Sequence, residues 1–140
     1  MKLQRHDLQE LSSLRLPEAQ VLIAGGCWEA AYYLAGYAVE CALKACIAKS
    51  TERYEFPDMK GVNDSYEHNL EKLVVVADLN KALNEAMHLR PQLGSNWSFV
   101  KKKGQSRPDA GGPPKQKRGR FFQAVQDQRD GVHRWLKKHW

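Results

Sequence analysis

The stretch AYYLAGYAVECALKACIAK, from Ala31 to Lys49, decides the fold of this 140-residue chain. Before Lys49, only Glu40 and Lys44 interrupt a run of side chains that is apolar on nearly every side of a helix. Such a helix must be surrounded by other helices or by lipid, and a charged pair halfway along it argues against lipid. The stretch therefore predicts the core helix of an all-α protein.

The pair formed by Glu40 and Lys44 is the sharpest polar feature of this predicted core. Glu40 precedes Lys44 by four residues, so the two side chains meet on one helix face in the orientation that also suits the helix dipole. Two interpretations stay open. The pair is either a salt bridge that closes over the bundle surface, with a small effect on stability, or part of a ligand-binding site that includes Tyr37.

Three segments of the chain carry a resemblance to one family. The ten residues GYAVECALKA, from Gly36 to Ala45, closely resemble the signature helix of the HEPN family, whose name stands for higher eukaryotes and prokaryotes nucleotide-binding. The segment HNLEKL, from His68 to Leu73, is similar to that family's histidine-led start of the next long helix. Residues 121–140 resemble the closing segment of a bacterial subgroup.

The resemblance covers residues 1–99 and 121–140 and lapses between them. It implies a small helical bundle that usually forms a homodimer. It also implies a role in prokaryotic toxin–antitoxin or nucleotidyltransferase-associated systems, with an antitoxin or nucleotidyltransferase as partner and a nucleotide or RNA as ligand.

The length of the chain fits a single domain over residues 1–140. We expect an up-and-down, HEPN-like bundle of four to six helices with one long, flexible basic loop. Gly25 and Gly26 permit the turn of an antiparallel helical hairpin, Asn69 and Asp78 are candidate helix caps, and Gly94 begins loop-like sequence. The expected helices cover about residues 3–14, 18–24, 28–49, 69–77, 79–89 and the region after Phe121, with a break or kink at Leu16-Pro17 and a surface loop over 50–66.

The net charge of +6 is concentrated in one segment. Residues 101–120 hold eight of the 22 basic side chains and a single acid, Asp109, so the rest of the chain is close to neutral. This segment predicts either salt-sensitive, sequence-indifferent contact with phosphates or a solvated insertion without a dedicated partner. Its candidate nucleic-acid-binding residues are Lys101, Lys102, Lys103, Lys115, Lys117, Arg118 and Arg120.

The cysteines and the apolar segment indicate the cellular compartment of the protein. Cys27, Cys41 and Cys46 have neither CxxC nor zinc-finger spacing, so they are expected to be small core residues in a reducing compartment. Residues 22–48 are apolar enough to resemble a membrane span, but Gly25-Gly26 and three charged residues interrupt them. We expect a cytoplasmic protein without a membrane-spanning helix.

HEPN ribonucleases carry an arginine and a histidine separated by four to six residues, and Arg134 and His139 match that spacing. In such an enzyme the histidine moves the proton of a ribose hydroxyl and the arginine holds the phosphate. The same residues also fit a bland interpretation, with Arg134 on a solvated helix face and His139 as a cation in the last helical turn. About one such match is expected by chance from the number of arginines and histidines present.

His68 is a further catalytic candidate, because it could contact a ligand or reach the Glu40 and Lys44 pair across the bundle. Its bland role is to complete the start of the next helix. The histidines are too dispersed to predict a metal site, and no cofactor-binding motif is present. Trp97, Trp135 and Trp140 either anchor a protomer interface or fill the core.

These observations favour a HEPN-type binding module for nucleotide or RNA over two alternatives. One alternative is a metal-independent endoribonuclease that uses Arg134 with His139 or His68. The other is a nonspecific nucleic-acid-binding protein that acts through residues 101–120.

Overall fold

The computed structural model of the protein describes residues 3–54, 68–102 and 115–140, and these residues form seven α-helices with no strand among them. The all-α class is therefore confirmed, with one helix more than the largest number expected. None of the described helices is both long and apolar enough to cross a bilayer. The helices are α1 (Arg5–Ala24), α2 (Trp28–Tyr54), α3 (Leu70–Val76), α4 (Asn80–Leu89), α5 (Pro91–Val100), α6 (Lys115–Gln126) and α7 (Val132–Lys137).

Helices α1 and α2 form the predicted antiparallel hairpin. The backbone N–H of Gln4 donates to the Asp7 carboxylate at 2.9 Å, which satisfies one of the amides at the start of α1. At the turn, Gly26 adopts a left-handed φ of 81°, and the Cys27 N–H donates back to the Leu22 carbonyl at 2.7 Å. A residue with a side chain rarely adopts that conformation, so the glycine is what permits so short a connection.

Helix α2 is the centre of the molecule and packs against α1, α3, α6 and α7. Its small side chains allow the neighbouring helices to approach closely, while large side chains from the later helices fill the remaining space. The fully buried members of the core include Ala35, Ala38, Val39, Ala42 and Leu43 from α2, Leu70 and Leu73 from α3, Phe121, Phe122 and Val125 from α6, and Leu136 from α7.

Four expectations about helix bounds were wrong. Helix α1 runs through Pro17 without ending, because Pro17 and Ser13 are exposed and the carbonyl that loses its helical partner can be hydrated. Helix α2 continues to Tyr54, beyond the expected end at Lys49. The sequence after Gly94 stays helical to Val100, and residues 115–120, assigned to the flexible loop, form the first half of α6.

The two proposed helix caps behave differently. Asn69 caps α3 as predicted, with its side-chain oxygen accepting from the Lys72 N–H at 3.1 Å. Asp78 caps no helix: it lies in the turn before α4 at a left-handed φ of 57°, and α4 begins at Asn80. An aspartate tolerates that conformation better than most residues, which explains its place in the turn.

The cysteines and tryptophans divide between core and surface. Cys41 and Cys46 are buried as predicted, whereas Cys27 is exposed at the start of α2, which corrects the expectation for that residue. Trp97 is buried in the core. Trp135 and Trp140 pack against the core but keep part of their rings exposed.

Candidate functional site

One stripe of α2 is exposed along its first half and largely buried along its second. It consists of Ala30, Tyr33, Tyr37, Glu40 and Lys44, which follow one another at intervals of three and four residues and therefore share a face. Tyr33 is 61% exposed, although its apolar surroundings in the sequence predicted enclosure on every side. The core helix thus presents two tyrosine rings at the surface, next to a charged pair whose lysine side chain is 19% exposed and whose glutamate side chain is 12% exposed. We refer to these five residues as the α2 stripe.

Glu40 is held from two directions. Its carboxylate accepts from Lys44 Nζ at 3.4 Å within α2 and lies 2.8 Å from His68 Nδ1, just before α3. The sequence allowed two functional roles for His68, contact with a ligand or contact with the Glu40 and Lys44 pair. The structure shows the contact with Glu40. Only 12% of the glutamate side chain is exposed, whereas the histidine side chain is 79% exposed. The acid is therefore fixed in place, while the imidazole is accessible from outside.

The orientation of the His68 ring follows from its acceptor. A carboxylate has no proton to donate, so Nδ1 carries the hydrogen of this bond. In the neutral tautomer that results, Nε2 is the nitrogen with proton-accepting character. A carboxylate that orients a histidine through Nδ1 is the arrangement used in general-base catalysis. The geometry is also compatible with a histidine that only ties the start of α3 to α2.

Tyr37 lies one helical turn before Glu40 and borders the same cluster. Partial burial, and then the neighbouring Cys41 thiol and Glu40 carboxylate, raise the pKa of the Tyr37 hydroxyl, while Arg15 on α1 opposes the shift. The tyrosine therefore stays neutral at physiological pH. Arg15 is paired with Glu18 on its own helix. The site thus combines an aromatic ring, a fixed carboxylate and three side chains able to carry positive charge.

Arg134 and His139 lie in separate surroundings, and no hydrogen bond joins them within the described part of the chain. The His139 ring lies against Trp135, with 4.4 Å between ring centroids, and burial followed by nearby Lys49 lowers its pKa. Arg134 is exposed beside Arg129 and Asp130, at the turn between α6 and α7. His139 also lies beyond the end of α7 at Lys137.

The basic residues of the 101–120 segment are only partly within the described chain. Lys101 Nζ lies 4.0 Å from Glu71 Oε1, and Lys102 is exposed. On α6, Arg118 lines a shallow groove with Trp28 and Tyr33, and the Arg120 guanidinium lies 5.2 Å above the Phe99 ring. Lys103 and the side chains of Lys115 and Lys117 lie outside the described residues.

One buried polar pair was missed by the sequence analysis. Ser12 on α1 and His133 on α7 are hydrogen-bonded inside the core, 121 residues apart in the chain. No spacing rule links such distant residues, and the only available signal was a polar residue on the inward face of each helix. In the described ranges, no group of three His, Cys, Asp or Glu side chains is arranged to hold a metal ion.

Comparisons with known proteins add no relative. No family model matches this chain, and neither a curated protein nor a solved structure is significantly similar to it.

Proposed function

We propose that this protein is a HEPN-type module that binds a nucleotide or RNA on the α2 stripe together with His68. The observation that carries the proposal is the Glu40 carboxylate, nearly buried and fixed between Lys44 and His68, beside an exposed tyrosine. Following the resemblance of Gly36–Ala45 to the family's signature helix, we place the protein in a homodimer. We place that dimer in a toxin–antitoxin or nucleotidyltransferase-associated system.

The chemistry of the stripe suits such a ligand. Tyrosine rings offer flat faces on which nucleobases stack, at about 1–3 kcal/mol per base. The Glu40 carboxylate accepts hydrogen bonds from ribose hydroxyls or base amino groups, and Lys44 supplies a positive charge for phosphate. Because Glu40 already neutralises part of the Lys44 charge at 3.4 Å, we expect recognition to depend more on stacking and hydrogen bonds than on net charge.

Calorimetric titration of the protein with mononucleotides and short RNAs tests this proposal. We expect saturable binding that is weakened at least tenfold by Tyr37→Ala and by Lys44→Ala, since each removes a direct contact. Lys81→Ala is the matched control, because Lys81 is an exposed lysine on α4, away from the stripe. Absence of binding by the unaltered protein, or equal affinity in all four proteins, would remove the proposal.

Circular dichroism must show that these variants fold. The hydrogen bond between His68 and Glu40 has one exposed partner, and such contacts contribute about 0–1 kcal/mol. Its loss is therefore not expected to unfold the bundle. A binding defect in Lys44→Ala, Tyr37→Ala or His68→Asn can then be assigned to the loss of a ligand contact and not to unfolding.

The second candidate function is metal-independent endoribonuclease activity with His68 as general base. The observation that favours it is the 2.8 Å contact of His68 Nδ1 with Glu40, which sets the ring tautomer needed to remove a proton from a ribose hydroxyl. We expect cleavage of RNA in EDTA that His68→Asn and Glu40→Gln both suppress. If the Arg134→Ala/His139→Ala double variant alone loses activity, His68 is not the base.

A further inference from the structure

A narrow crevice on a different part of the surface is lined mainly by cations. It separates the junction of α4 and α5 from the turn between α6 and α7. Four basic side chains and one acid surround it, beside a tryptophan ring. The lining residues that matter here are Arg90, Arg129, Asp130, Arg134, Trp135 and Lys138.

The single acid neutralises only one of the four cations. Asp130 Oδ1 accepts from Arg90 Nε at 3.1 Å, and the aspartate side chain is largely buried. Arg129, Arg134 and Lys138 are all exposed, and none of the three has a carboxylate within 4.0 Å in the part of the chain that the structure describes. Asp127, in the same turn, offsets part of the Arg129 charge, but the four cations still exceed the two nearby acids. Such a concentration of charge attracts anions from solution.

The turn that carries Arg129 and leads into α7 is held in one conformation. The Asp127 carboxylate accepts from the backbone N–H groups of Arg129 at 2.8 Å and Asp130 at 3.0 Å. From α5, the Asn96 side chain donates to the Asp130 carbonyl at 2.8 Å. A side chain at Gly131 would collide with the backbone of Asp127 and Val125, so the turn can close only with glycine there. The backbone that carries Arg129 is thus fixed before any ligand arrives, which reduces the entropy lost on binding.

We propose that this crevice binds a backbone phosphate of single-stranded RNA, contacting it through Arg129, Arg134 and Lys138. The crevice has a cavity volume of only about 10 Å³, which is room for about one water molecule, whereas ligand pockets usually exceed ~300 Å³. A whole nucleotide does not fit, but a phosphate of a longer strand can rest on the rim. The Trp135 ring, partly exposed and in contact with the His139 ring, offers an adjacent stacking edge for a base of that strand.

The inference extends the proposed function, since it gives the bound RNA a second contact point outside the α2 stripe. Its test combines two measurements on the full-length protein. The first is the NMR shift of the Gly131 amide during titration with inorganic phosphate at constant ionic strength. The second is fluorescence anisotropy of a labelled twelve-nucleotide oligouridine over a range of salt concentrations.

The variant for both measurements is Arg129→Gln/Lys138→Gln, and the control is Lys72→Gln/Lys81→Gln, which removes the same charge from exposed positions on α3 and α4. We expect phosphate to shift the Gly131 amide in the control but not in the variant. Removing two phosphate contacts should weaken oligouridine binding roughly tenfold at low salt and reduce the salt slope by about 1.4. The control should keep the slope of the unaltered protein.

The outcomes separate this inference from the proposed function. If Tyr37→Ala abolishes RNA binding while Arg129→Gln/Lys138→Gln leaves affinity and slope equal to the control, the crevice inference is wrong and the α2 stripe remains. If phosphate shifts Gly131 but the variant binds oligouridine like the control, the crevice takes a small phosphate ester and the strand proposal fails. If the unaltered protein binds no RNA, both proposals fail.

Discussion

Ser12 Oγ and His133 Nε2 lie 2.9 Å apart inside the core and connect the first helix to the last. The serine hydroxyl donates its only proton to the Ala38 carbonyl at 2.6 Å. Its oxygen must therefore accept from the histidine, so Nε2 carries the hydrogen and Nδ1 does not. With Ser12 fully buried and His133 only 7% exposed, a substrate cannot reach the pair. It is a structural link between α1, α2 and α7.

Replacing Ser12 with alanine should destabilise the protein by about 1–3 kcal/mol, because the buried His133 N–H loses its acceptor and the Ala38 carbonyl loses a donor. Urea denaturation followed by circular dichroism measures the change. The control is Ser13→Ala at the neighbouring exposed position, for which we expect a change within about 0.5 kcal/mol. Equal stability of the two variants would contradict the assigned hydrogen-bond chain.

His133 should also make stability depend on pH. Burial, together with nearby Lys137, lowers its pKa from 6.5 to about 4 in the folded protein. Between these values the unfolded chain binds more protons than the folded one, so stability rises with pH through this window and is lost as pH falls. The loss from pH 7.5 to 4 should be on the order of 3 kcal/mol.

The comparison that isolates this effect uses His133→Asn against His88→Asn, an exposed histidine on α4. Denaturation midpoints at several pH values between 4 and 7.5 should flatten in the first variant and keep the slope of the unaltered protein in the second. His139, whose pKa burial also lowers, contributes to the slope of every protein compared. A slope in His133→Asn as steep as that of the unaltered protein would assign the pH dependence to other groups.

Local signals in the sequence predicted the helical class, the hairpin turn and the Asn69 cap, because each depends on residues within one helical turn of one another. Pro17 does not end α1, because the cost of one lost backbone hydrogen bond is outweighed by the packing of α1 on α2, where Ala19 is fully buried. The composition of residues 115–120 predicted a flexible loop, but these residues are helical. Phe121 and Phe122 are buried in the core, and the preceding turns continue the same helix.

The candidate site was predictable only in part. Glu40 and Lys44 meet through helical spacing, and the sequence fixes that contact by itself. The contact of Glu40 with His68 depends on how α3 returns to α2, and the pairing of Ser12 with His133 depends on the whole fold. The exposure of Tyr33 and Tyr37 was likewise hidden, because apolar neighbours in sequence do not reveal which face lacks a covering helix.

Gly119 gives a prediction about packing between α6 and α2. A methyl group at this position would lie 2.9 Å from Cζ3 of Trp28, which is too close, whereas at Gly94 it would make an ordinary 3.5 Å contact with Met87. Gly94→Ala should therefore stabilise the protein by about 0.5–1 kcal/mol through helix propensity. Gly119→Ala should lose that gain and alter tryptophan emission as Trp28 is displaced. Equal stabilisation by both, with unchanged emission, would show that α2 and α6 are not packed this way.

The three thiols should react with a disulfide reagent in two stages. Cys27 is exposed, whereas burial raises the pKa of Cys41 and raises that of Cys46 to about 12, and the thiolate is the reactive form. We expect one thiol per chain to react at pH 8 in the folded protein and all three in denaturant. Cys27→Ser should abolish the fast stage. Rapid reaction of two thiols in that variant would mean that the interface of α2 with its neighbours opens readily, because Cys41 and Cys46 can be reached only if that interface separates.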